Sequence, residues 1–134
     1  MVLNGALAGL VSITAEPLTP SVPAALFIGG IGGVIVIVVV PLLDKLKIDD
    51  VVGAIPVHLV AGIWGTFIVP LTNDGTSFGT QIVGIVAIGA FTFIVSFVIW
   101  FILKAIMGIR VSPEEEEMGL DKSEVGVEAY PEFM

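Results

Sequence analysis

Charged residues divide this chain into long apolar stretches. Residues 21–43, SVPAALFIGGIGGVIVIVVVPLL, carry no charge, and nor do residues 51–71, VVGAIPVHLVAGIWGTFIVPL, or residues 81–103, QIVGIVAIGAFTFIVSFVIWFIL. Each is long enough, at 1.5 Å per residue, to cross a hydrocarbon core of about 30 Å as a helix. The valine and isoleucine runs also fit buried strands, but their length argues against that. Membrane β-strands would in addition alternate apolar and polar positions. The pattern predicts transmembrane helices over 21–43, 51–71 and 81–109.

The first apolar stretch, VLNGALAGLVSI at residues 2–13, covers only about 18 Å as a helix and is too short to span. It lacks the positive leader region of a signal peptide. One reading is an interfacial or re-entrant segment. The preferred one is that residues 1–14 are the end of a transmembrane helix whose beginning lies outside this chain. The expected fold class is therefore all-α integral membrane, with three full transmembrane helices plus a partial one and an acidic tail over 111–134.

Composition agrees with that class. Of the 134 residues, 56% are hydrophobic and 13% charged, against about 25% charged in soluble domains. The mean hydropathy is +1.08. The formal net charge of −8 is uneven, because the acids cluster in the tail from Glu114 onward while the body is nearly neutral. No basic footprint for nucleic acid exists. The absence of cysteine excludes disulfides, thiolate metal sites and thiol nucleophiles.

Lys45 and Lys47 lie between the first two spans, and Lys104 and Arg110 near the end of the third, whereas 15–20 and 72–80 hold no lysine or arginine. The positive-inside rule therefore puts the 43–50 connection and the C-terminus in the cytoplasm of a multi-pass cell-membrane protein. Asp49 and Asp50 open the second span, where carboxylates suit a helix N-terminus. As a pair they fit a cap better than a metal site.

Helices in lipid pack through small residues. Gly5 with Gly9 and Gly29 with Gly33 each have that spacing, and Gly89, Thr92 and Ser96 share a face of the third span. So many tight-packing positions imply a larger bundle or an oligomer.

His58 is the only histidine. On a regular helix Ala54, His58, Ala61, Gly62 and Gly65 share one face, so the imidazole projects from a strip of small side chains. Ionisable groups within membrane spans mark pathways or proton relays by default. A neutral imidazole both donates and accepts hydrogen bonds, and burial in hydrocarbon favours that neutral form. Two readings stand at this point: the wall of a narrow conduit, or a structural histidine bonding a neighbouring helix. Pro56 cannot donate to the Val52 carbonyl, which leaves a free acceptor and a bend at the entrance of the span. Trp64 reads as packing.

No nucleophile–base pair, HExxH, P-loop, GxGxxG or TVGYG-like filter is present, so neither an enzyme nor a potassium channel is expected, and no cofactor or metal. In the tail, Leu120, Val125, Val127, Tyr130 and Phe133 punctuate the acids. That mix fits either a solvated extension or a segment docking on a surface.

Three stretches, NGALAGLVSITA at 4–15, DDVVGAIPVHLVAGIWGT at 49–66 and GIRVSPEEEEMGLDKSEVGVEAYPEF at 108–133, resemble the ammonium transporter (Amt/MEP/Rh) family. The match covers almost the whole chain in order and corresponds to the last third of such a transporter. The resemblance implies an ammonium-transporter-like helical bundle in the lipid bilayer and a trimer of protomers, each with its own pore for ammonium or ammonia in nitrogen uptake. His58 matches the second of two pore histidines; the first belongs to helices absent here. Gly119, Leu120, Asp121, Ala129 and Tyr130 match a regulatory tail that packs on a neighbouring protomer and helps dock a PII-type regulator. The tail departs from the usual GLD…HGEEAYPEF at Val125 and Val127. Gly53 stands where many members carry aspartate, and EPLTPS lacks the usual Gly-Cys pair.

The expected function is the C-terminal part of an ammonium transporter, inactive as this chain alone. The alternative, from another class, is a small membrane protein that binds full-length transporters or a regulator through its tail.

Overall fold

The structure, a computed structural model, describes residues 1–18, 20–129 and 131. It is all-helical, with no strand among the described residues. The chain divides into two compact units, Met1–Phe91 and Thr92–Met134.

The first unit is built on helix α1, Val2–Ile13, which packs against helix α2, Val22–Lys45. Helix α2 starts where Ser21 caps it by accepting from the Ala24 N–H and Pro23 fills the first turn, a position where proline's missing N–H costs nothing. Its buried positions, Ile28, Gly32, Val36 and Leu43, form a single stripe. Pro41 lies inside the helix and leaves the Ile37 carbonyl without its usual donor. The helix ends in a paired closure: the Ile48 N–H donates to the Leu43 carbonyl and the Lys47 N–H to the Asp44 carbonyl, each at 3.0 Å. Lys47 takes the left-handed conformation this closure requires, with φ 56°.

Helices α1 and α2 run antiparallel. A Cβ on Gly9 would lie 3.2 Å from the Gly29 carbonyl oxygen, and one on Gly33 would lie 3.6 Å from that of Gly5. The tightest approaches are elsewhere. A Cβ on Gly32 would meet the Ser12 hydroxyl and stand 2.6 Å from the Ala8 carbonyl oxygen, and a Cβ on Gly65 would strike the Ser12 carbonyl. Ser12 is 1% exposed. Its hydroxyl donates to the Ala8 carbonyl at 2.7 Å. The core around it consists of Ala8, Val36, Val57 and Ala61, with Val11 and Val40 against its edge.

The span expected over 51–71 is composite and starts later. A π-helical turn, Ile55–Val60, leads into helix α3, Ala61–Ile68, and a closing 3₁₀ turn, Val69–Leu71. The delay comes from Gly53, which holds φ +75° and turns the chain just before the helix begins. Asp50 then caps it with both oxygens, accepting from the Ala54 and Ile55 N–H groups at 2.8 Å each. Pro56 has no N–H, and the Val57 N–H donates to the Gly53 carbonyl. The three N–H groups at residues 54, 55 and 57 are thereby paired, and the fourth position of the helix start is a proline with none to pair. Among the described residues two helices are long and apolar enough to cross a membrane, α2 and helix α4, Phe78–Met107; the segment bearing His58 is a shorter apolar helix, Ile55–Leu71.

Helix α4 begins three residues before the expected 81, because Ser77 accepts from the Thr80 N–H. It ends at Gly108, φ +76°. No side chain along it is buried. In the second unit, Phe93, Phe97 and Phe101 stack at i, i+4, i+8, with centroids 6.2 and 6.5 Å apart. The acidic tail forms helix α5, Pro113–Met118, and a π-helical turn, Asp121–Val125. Helix α5 is closed by a reciprocal cap between Ser112 and Glu115.

The fold predicts a contrast between glycines. Gly65→Val, which drives carbon into the Ser12 backbone, destabilises the chain by about 1–3 kcal/mol. Gly30→Ala, whose Cβ meets nothing within 4 Å, leaves stability unchanged or slightly raised. Thermal unfolding midpoints in detergent micelles compare the two.

Candidate functional site

His58 sits within the π-helical turn, between buried Val57 and exposed Leu59, and is itself exposed on this chain. Its imidazole makes no hydrogen bond among the described residues. Its backbone carbonyl accepts from the Ala61 N–H, as does the carbonyl of Pro56. One N–H shared between carbonyls three and five residues back marks the register change from π to α.

That register change corrects the one-face expectation. A π turn takes an extra residue per hydrogen-bonded ring, so positions beyond it are rotated relative to a continuous α-helix. Ala54 and His58 remain exposed, whereas Ala61 and Gly65 are buried. Ala61 joins the core with Ala8 and Val36, and Gly65 faces the Ser12 backbone. Gly62 lies between these extremes, with the site of a Cβ 3.8 Å from Val11 Cγ1. The small residues therefore serve two purposes. Ala61 and Gly65 admit α1, and only Ala54 stays on the exposed side with the imidazole.

Trp64 anchors the next turn by donating from Nε1 to the Ile28 carbonyl of α2 at 3.0 Å. The carbonyl of Val52, which Pro56 cannot serve, accepts from the Asn4 side-chain amide at 3.0 Å. At the far end of the span, the Asn73 amide donates to Glu16 at 2.7 Å. The hydrophobic pattern alone gives Asn4 and Ser12 no role. The available signal was that they are the only polar side chains in an otherwise apolar α1.

The tail residues form a second local site. Asp121 folds its segment into a ring, one carboxylate oxygen accepting from the Ala129 N–H at 2.7 Å and the other from the Lys122 N–H at 3.0 Å. Lys122 pairs with Glu128 at 3.0 Å. Gly119 holds φ +97°, and a Cβ there would stand 2.7 Å from the Asp121 carboxylate. Gly119, Asp121 and Ala129 are thus brought together, with Leu120 beside them and exposed; Tyr130 lies outside the described residues. The Ala129 N–H, and after it the Lys122 N–H, hold the Asp121 carboxyl below the usual aspartate range. The Ser112 backbone N–H, then its hydroxyl, lower Glu115 in the same way.

The sequence profile of the Ammonium Transporter Family matches residues 1–130. Among curated proteins, ammonium transporter Amt2 of Archaeoglobus fulgidus is 38% identical over 154 aligned residues, covering 100% of this chain and 33% of that protein. Ammonium transporter Amt2 of Haloferax mediterranei is 41% identical, covering 98% of this chain and 31% of its own length. Ammonium transporter Amt2 of Methanocaldococcus jannaschii is 39% identical, with 96% and 33% covered. The chain spans about a third of the length of these relatives.

The Asp121 ring has a defined pH response. Its folded carboxyl titrates below the unfolded value of about 3.9, so its stabilisation is complete above that range and is lost as pH falls through the folded value. The Ala129 amide proton should keep its hydrogen-bonded NMR shift from neutral pH down to about pH 4 and lose it only in stronger acid. Asp121→Asn should remove this transition from the titration.

Proposed function

This chain belongs to the ammonium transporter family, and from that premise we propose that it forms the C-terminal part of an ammonium transporter. In this reading His58 contributes one imidazole to the ammonium or ammonia pathway. The observation that carries it is the exposure of His58 within an apolar segment whose other face is closed by α1 and α2. An imidazole left facing outward from hydrocarbon-matched helices has a strong solvation demand. The ring meets that demand by forming hydrogen bonds with a small polar solute or with a facing group.

The direction of the helices supports a multi-pass arrangement. Asn4 meets Val52 and Glu16 meets Asn73, so α1 and the His58 span run the same way, with α2 returning between them. The distribution of lysine and arginine along the sequence, at 45, 47, 104 and 110 and absent from 15–20 and 72–80, supports a cytoplasmic tail in this reading. There the Asp121 ring offers a preformed surface for a neighbouring protomer of a trimer or for a PII-type regulator. Leu120, Val125 and Val127 are exposed on it.

The pathway itself needs more walls than this chain has. Liposomes holding only the purified 134-residue chain should show no saturable methylammonium uptake; selective, saturable uptake would refute the division of labour proposed here.

The role of His58 is tested in a full-length relative whose matching third is exchanged for this chain. His58→Ala should lower flux or change selectivity roughly tenfold, the rate equivalent of about 1.4 kcal/mol. Unchanged transport at equal membrane abundance would assign His58 to helix packing instead.

A further inference from the structure

Three side chains in α1 and just after it reach the stretch from Val52 to Asn73 that contains His58. Asn4 donates to the Val52 carbonyl at 3.0 Å. The Ser12 hydroxyl lies 3.4 Å from the Ala61 carbonyl. Glu16 accepts from Asn73 at 2.7 Å. They differ in what they can control. Ser12 spends its hydroxyl proton first on Ala8 within its own helix, so its reach to Ala61 is secondary. Glu16 acts beyond the last turn of the span. Asn4 alone acts at the turn from which the His58 segment departs.

The geometry of that turn is specific. Gly53 takes φ +75°, and a Cβ on it would stand 2.5 Å from the Asn4 amide nitrogen. The missing side chain is the space the amide occupies. The N–H groups of the first helical turn are taken locally, by the Asp50 carboxylate and the Gly53 carbonyl. Among the described residues, the hydrogen bond that ties this turn to another helix is the one from Asn4. His58 follows Val52 by six residues, little more than one π turn, so rotation at Val52 and Gly53 passes directly into the direction of the imidazole.

We propose that Asn4 is a positioning residue for His58. Its amide holds the Val52–Gly53 turn against α1 and so sets the rotation at which the π-helical turn presents the ring. It does not touch the solute. The inference rests on the pathway role proposed for His58, and its test separates the two.

The test uses the chain in lipid nanodiscs with isotope-labelled histidine, reading the His58 ring signals and amide exchange over 55–60. Asn4→Leu keeps the bulk without a donor, Asn4→Asp keeps the shape without an amide, and Asn4→Gln keeps the amide. The Leu and Asp variants should speed exchange at 57–60 by roughly three- to tenfold, the range expected of one net hydrogen bond, and shift the ring signals. The Gln variant should return both toward the native values. In the full-length relative carrying this chain, Asn4→Leu should lower maximal methylammonium flux with half-saturation unchanged.

Native exchange and ring signals in Asn4→Leu would overturn the proposal. So would exchange raised equally along α1, α2 and α3, which is the pattern expected of Gly65→Val and of a merely structural role. If Asn4→Leu moves the local signals but His58→Ala leaves flux unchanged, the positioning role stands and the pathway reading falls.

Discussion

Three backbones meet at Ser12, and the first unit depends on how closely they do so. Gly32 of α2 sits against the Ser12 hydroxyl and the Ala8 carbonyl, and Gly65 of α3 sits against the Ser12 carbonyl. Lipid supplies no hydrophobic drive between helices, so association there rests on close contact and on polar groups satisfied across the interface. Serine suits the crossing because its hydroxyl folds back onto its own helix at Ala8. That leaves no unpaired donor in the interface and adds little bulk. With the crossing fixed, Ala8, Val36, Val57 and Ala61 close around it, and the exposed side of the His58 segment is decided by exclusion.

Much of this was legible in the chain's pattern. The apolar runs located α2 and α4 to within a few residues. The glycines at 5, 9, 29 and 33 pointed to the pair of helices that do approach each other, although a Cβ on Gly5 would meet nothing within 4 Å. Asp50 stood where a carboxylate caps a helix, and it does so with both oxygens. Family resemblance singles out the tail segment, and in the structure Asp121 closes it into a ring through the Lys122 and Ala129 N–H groups.

What could not be read depends on contacts distant in sequence. Within GGIGG four glycines have equal claim to an interface, and only the partner's shape selects Gly32 as the tightest. The π-helical turn has no composition signal of its own. It arises where a left-handed Gly53, a proline without an N–H and a side chain from α1 meet. Counting at 100° per residue therefore put Ala61 and Gly65 beside His58, when the extra residue in the turn sends them to the opposite task.

Helix α4 has 30 residues, or about 45 Å of helix against a hydrocarbon core of about 30 Å. An ordinary tilt of about 20° shortens its projection by only about 3 Å. Roughly two turns or more must then stand among the lipid headgroups or in water. Lys104, near its end, sits where a long aliphatic stem ending in a cation is best accommodated. Set across such a core, which its length and hydropathy allow, the helix is a mast taller than the deck, and part of it stands clear of the oil.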